Sequence, residues 1–146
     1  MKTRQKILAG ALITLVGTGV VGYFKLARAD SKSRTITRNG ITVGIEKTRY
    51  TKGENITFWL KNERTVKIEL PNSAPWVIEE KTITGWKAIF SPVAAQVVIP
   101  IRSGEKIIWW WQQLTHEKDW VGQGKYRVGF PIIEDLLYLR FEIVEA

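Results

Sequence analysis

From Ile41 onward the chain repeats one pattern, in which apolar and polar side chains alternate over short runs and each run ends in a turn signal. Ile41, Val43 and Ile45 share one parity, as do Ile56, Phe58 and Leu60, then Val66, Ile68 and Leu70, and Trp86, Ala88 and Phe90. The pattern continues through Val93 to Ile101, through Ile107, Trp109 and Trp111, through Tyr126, Val128 and Phe130, and through Leu137, Leu139, Phe141 and Ile143. Side chains of a strand point alternately to opposite faces, so this spacing is that of strands buried on one side. Lys52-Gly53-Glu54-Asn55, Pro71-Asn72-Ser73, Thr84-Gly85, Arg102-Ser103-Gly104-Glu105 and Gly122-Gln123-Gly124 separate the runs. No stretch after Asp30 keeps a helical period over ten residues. Short strands at this spacing predict an all-β, Ig-like antiparallel β-sandwich over residues 41–146, with a closed barrel as the competing architecture.

A different kind of segment precedes it. Lys2, Arg4 and Lys6 lead into residues 7–24, which are 18 positions without a charge, and Lys25-Leu26-Ala27-Arg28-Ala29 follows. Basic flank, apolar run and small-x-small site are the layout of a secretory signal. At about 1.5 Å per residue the run is also long enough to span a bilayer as a helix. Residues 1–29 therefore read as a signal peptide cleaved after Ala29, or as a signal anchor holding the membrane through residues 7–24 with its amino terminus inside. Residues 30–40 read as a linker and first edge segment. The expected location is extracytoplasmic, anchored or secreted.

This segment also explains much of the charge. It carries five basic and no acidic residues, which leaves 17 basic and 14 acidic on residues 30–146, of mixed sign along the chain. No nucleic-acid partner is expected without a clustered basic face. The chain has no Cys and one His, which excludes disulfides, thiol catalysis and multi-His metal sites, and no cofactor is implied. His116-Glu117-Lys118-Asp119 reads as a solvated turn. Glu79 and Glu80 are adjacent, so in a strand they face opposite ways and cannot act as a facing acid pair. No catalytic or metal-binding residue is assigned.

The turn and strand of Tyr50-Thr51-Lys52-Gly53-Glu54-Asn55-Ile56-Thr57-Phe58-Trp59-Leu60-Lys61-Asn62 resemble an early hairpin of prokaryotic Ig-like modules. Ile101-Arg102-Ser103-Gly104-Glu105, the Trp109 and Trp111 alternation, and Gly124-Lys125-Tyr126-Arg127-Val128 are similar to the BsuPI-type intracellular proteinase inhibitor family. The resemblance covers roughly residues 41–131. It implies an Ig-like fold and, as one functional expectation, proteinase inhibition.

Four tryptophans are candidate ligand or partner contacts. Parity puts Trp109 and Trp111 inward and Trp110 on the outer face, where an exposed indole can stack on a sugar or anchor a protein. Trp59 is a second outward aromatic, and Trp76 and Trp120 lie near loop ends, where Ig-like domains carry recognition. Asn55-Ile56-Thr57 is a glycosylation sequon. The expected role is non-catalytic: an accessory or structural envelope protein binding another envelope protein. A polysaccharide-binding module and a proteinase inhibitor are the alternatives.

Overall fold

Residues 32–132 and 135–145 are described by a computed structural model, and the expected signal or anchor segment lies outside them. The chain divides into Met1–Lys32 and Ser33–Ala146, and the architecture below is that of the second unit. Its described residues are all-β. A four-stranded sheet has the order β1 (Arg34–Arg38), β2 (Ile41–Ile45), β4 (Ile56–Asn62) and β9 (Lys106–Trp111). A five-stranded sheet has the order β3 (Arg49–Thr51), β11 (Asp135–Val144), β10 (Gly124–Ile132), β6 (Val77–Thr82) and β7 (Gly85–Phe90). β5 (Ile68–Leu70) and β8 (Ile99–Ile101) pair as a short ribbon.

The expectation of uniformly antiparallel strands fails at one ladder: β3 runs parallel to β11, with Tyr50 opposite Ile143. The cause is a short crossover. Glu46 still donates its N–H to Thr57 in the four-stranded sheet, while Thr48 already accepts from Glu142 in the other. Three residues carry the chain between sheets, and it enters the second in the direction of β11.

The alternation does what its period requires. Ile41, Val43, Ile45, Ile56, Phe58 and Leu60 are all buried on the inner side of the four-stranded sheet, as are Tyr126, Val128, Phe130, Leu139, Phe141 and Ile143 on the other. Aromatic rings join the two layers. Phe58 and Phe130 meet edge to face at 5.8 Å, and Trp111 lies 6.2 Å from Tyr126 and 6.4 Å from Phe141. Elsewhere the pattern breaks. A bulge between Ile78 and Glu79 shifts the β6–β7 register, so that Ile89 is buried and Ala88 is exposed. Of the Val93–Ile101 run only Ile99–Ile101 is strand, and Val93 and Val97 are exposed.

The two Gly-Glu signals are one device used twice. In Thr51-Lys52-Gly53-Glu54 the Thr51 N–H donates to Glu54 Oε1 at 2.7 Å, and in Arg102-Ser103-Gly104-Glu105 the Arg102 N–H donates to Glu105 Oε1 at 2.7 Å. Gly53 and Gly104 sit at φ of 93° and 82°, which a side chain would strain. A buried amide residue backs each turn, Gln113 through its side chain and Asn62 through its backbone carbonyl. Gln113 Nε2 donates to the Thr51 and Glu54 carbonyls, both at 2.9 Å. Asn62 Nδ2 donates to the Val66 and Ile101 carbonyls, both at 2.9 Å, and its backbone carbonyl accepts from Gly104. The turns open β4 and β9, which pair with one another, so they fix the ends of one ladder.

Partial burial would raise the pKa of Glu54, but hydrogen bonds from Lys47 and Thr51 outweigh it and hold the carboxyl below its ordinary 4.5. A carboxylate held low in the folded state stabilises above its unfolded pKa, and that stability is lost as pH falls through the folded one. Urea unfolding of Glu54→Gln is expected to show lower stability at pH 7. The loss relative to the unsubstituted protein should shrink as pH drops below about 4.5. A difference independent of pH would show that the carboxylate is not what holds the turn.

Candidate binding surface

The outer side of the four-stranded sheet gathers two of the candidate tryptophans. Trp59 pairs with Ile108 and Thr57 with Trp110, so Trp59 and Trp110 are diagonal neighbours on one face, about 7–8 Å apart by ladder geometry. Their environments differ. Trp59 is half-buried and lies across Gly44 of β2, where a Cβ would collide with the indole. Lys106 covers the ring, its Nζ 4.4 Å from the centroid. Burial there, and Lys61 opposite in register, push the Lys106 ammonium pKa down. Trp59 is thus a brace closing the gap left by a strand glycine. Trp110 keeps 57 % of its surface exposed. It sits with Ile108 on β9, which has no further strand beside it among the described residues.

Trp120 is 67 % exposed. It closes a tight loop in which Trp120 bridges Leu114 and Thr115 accepts from Lys118. That loop is pinned on its first half: Trp111 Nε1 donates to the Leu114 carbonyl at 2.9 Å, and the His116 ring stacks on Phe90 at 5.5 Å. Trp76 corrects the expectation of a loop-end contact. It is only 6 % exposed and packs edge-on against Phe58 at 4.8 Å, so its ring faces belong to the core. Asn55 is exposed at the turn into β4. Among the described residues no group of three or more His, Cys, Asp or Glu side chains gathers as a metal site would require.

The other sheet holds a constellation that the sequence reading did not isolate. The Arg127 guanidinium lies over Tyr138, its central carbon 3.6 Å from the ring centroid, and 4.3 Å from that of Trp86. Its Nε donates to Glu79 at 2.6 Å. Arg140 and Lys81 each come within 5.6 Å of the Trp86 centroid. Tyr138 can reach across because its partner on β10 is Gly129, where a Cβ would lie 2.9 Å from the phenol ring. The signal that was available is the shared strand parity of Arg127 and Gly129, and of Tyr138 and Arg140. It pointed to this face once β10 and β11 were known to pair.

No family model and no curated protein sequence matches the chain. Among solved structures it is similar to a β-glucosidase from Listeria innocua in complex with gluconolactone, at 14 % identity and a TM-score of 0.39, covering 78 % of this chain and 16 % of that one. It is also similar to the Pseudomonas fluorescens alkylpurine DNA glycosylase AlkC bound to DNA containing an abasic site analog. There the identity is 15 % and the TM-score 0.45, with 92 % of this chain and 37 % of that one covered. The chain thus spans well under half the length of either.

Replacing Gly44 by alanine is expected to displace the Trp59 indole. The cost should be about 1–3 kcal/mol, as for other overpacked sites, together with a change in tryptophan emission. An unchanged denaturation midpoint would mean that Trp59 is free to move and is not a brace.

Proposed function

We propose that residues 33–146 form a non-catalytic, Ig-like β-sandwich that acts as a protein-binding accessory of the cell envelope. Two facing sheets support the finer fold reading, and so does a tyrosine corner. The Tyr126 hydroxyl donates to the Gly122 carbonyl at 2.6 Å, four residues upstream at the start of a strand, a device Ig-like sandwiches use. Burial, aided by Glu80, pushes that phenol to a pKa of about 12, so it remains a donor at all ordinary pH.

One observation carries the binding reading: an indole left 57 % exposed on a strand that is an edge among the described residues, beside Ile108 and, among those residues, unbraced by any glycine. An open edge offers backbone hydrogen bonds to an extended partner segment, and an adjacent tryptophan supplies a buried anchor. The amino-terminal run at residues 7–24 supports export, with either anchoring or cleavage after Ala29. Asn55, exposed beside a turn, suits glycosylation in a host that modifies its surface proteins.

A photo-crosslinking residue at Trp110 in the full chain, expressed in its own envelope, tests this reading. A discrete protein adduct is expected at position 110 and not at Val66, which is exposed elsewhere. Once the partner is purified, Trp110→Ala should weaken its binding by at least tenfold, the scale of a buried hot spot. Equal adducts at both positions, or none, would remove the site. Binding of envelope polysaccharide lost in Trp110→Ala would move the assignment to a carbohydrate-binding module. Stoichiometric inhibition of a protease would favour the family resemblance instead.

A further inference from the structure

The β6–β7 hairpin ends in a two-residue tip, Ile83-Thr84, closed by the Thr82–Gly85 pair. The positive φ of this turn falls on Gly85, at 135°, so the tip backbone does not demand a particular side chain, but water surrounds both tip residues and polar side chains are the usual choice there. Ile83 is instead fully exposed, at 103 % of its reference surface, and packs against nothing that would reward an aliphatic side chain there. Behind it the outer face of the five-stranded sheet is basic. Lys81 pairs with the interfacial Trp86, and Lys125 lies level with it on β10, one residue before the Tyr126–Glu80 pair. These two cations stand two residues back from the tip, about 7 Å at strand rise, and Arg140 is one step further. The two acidic groups of this face are engaged already, Glu79 with Arg127 at 2.6 Å and Glu142 with Arg49 at 3.7 Å. Lys81, Lys125 and Arg140 have no ion-pair partner among the described residues, so five basic against two acidic residues leave the face at net +3.

The geometry points to a membrane-docking surface, in which Ile83 enters the headgroup layer of a bilayer and Lys81, Lys125 and Arg140 meet anionic phospholipid phosphates. An apolar tip backed by an interfacial tryptophan and basic residues is the composition that holds a protein on a membrane surface. A soluble polyanion would use the cations but leaves Ile83 without a role. The sequence itself offers the bilayer, since an uncharged run of 18 residues ends ten positions before Arg34. Arg127, ion-paired to Glu79, lies over the Trp86 ring and holds it against the sheet. This inference is independent of the role given to Trp110.

The chain lacks cysteine, so Ile83→Cys carries a polarity-sensitive dye at one position. Residues 33–146 are the protein to use: they form a separate compact unit, and among the described residues the buried core runs from Ile41 to Ile143. Omitting residues 1–32 removes the apolar run, so failure of anchoring and failure of docking are read separately. With vesicles of phosphatidylglycerol and phosphatidylcholine, a blue shift of the dye is expected, with partitioning at least tenfold above that on phosphatidylcholine alone and weakened by salt. Lys81→Gln and Arg140→Gln, each with an unchanged circular dichroism spectrum, should lower partitioning about fivefold apiece, from roughly 1 kcal/mol per basic residue at an anionic surface. A dye at Val66→Cys should not shift. The proposal is overturned if position 83 shows no shift, if position 66 shifts equally, or if neutral vesicles bind as well. Retention on DNA or on an acidic polysaccharide without vesicle binding overturns it too.

Discussion

The structure depends on a continuous aromatic seam between its two main sheets. Tyr50 meets Phe141, Phe141 stacks on Tyr126 at 5.9 Å, and both touch Trp111. The contact then passes through Phe90 to Trp76, and from Trp76 to Phe58 and on to Phe130. A chain without cysteine cannot close its layers covalently. Large rings do it here, since each buries a wide apolar area and edge-to-face pairs add to that burial. Asn62 and Gln113 are buried at the ends of the same ladder, where their amides satisfy backbone carbonyls in or beside the turns that would otherwise be stranded out of water.

The two outer faces solve one problem in the same way. A glycine inside a strand leaves a gap, and an aromatic ring from the neighbouring strand fills it: Trp59 over Gly44 on one side, Tyr138 over Gly129 on the other. In both cases a cation then lies on the ring, Lys106 at 4.4 Å and Arg127 at 3.6 Å. Half-buried aromatics of this sort are framework. Trp110 and Ile83 are among the exposed apolar side chains without such an explanation, and binding roles are given to these two.

Legibility in the sequence followed the strength of the period. Alternation at Ile41–Ile45, Ile56–Asn62, Gly124–Ile132 and Asp135–Val144 coincides with strands. Parity alone put Trp111 inside and Trp110 outside, as observed. β3 and β6 were not legible. β3 is three residues long, and β6 carries Glu79, Glu80 and Lys81 in a row, because Glu79 is neutralised by an arginine from another strand. Trp76 was misread for a related reason: a residue after proline in a loop looks exposed until the ring it packs on, Phe58, is known. The basic face was invisible because Lys81, Lys125 and Arg140 are far apart in the chain and are assembled by pairing that no local pattern encodes.

One consequence lies in the order of the strands. β11 stands between β3 and β10, so two ladders of the five-stranded sheet share it, and its partner in β3 lies some 90 residues upstream. A nascent polypeptide that has not yet delivered residues 135–144 leaves Tyr50 without its ladder partner and Tyr126 with β6 alone beside it. Contacts this distant close slowly, and until they close the apolar strands remain unpaired. The β6–β7 and β6–β10 ladders can form before that, but the ladder that seats Tyr50 closes last.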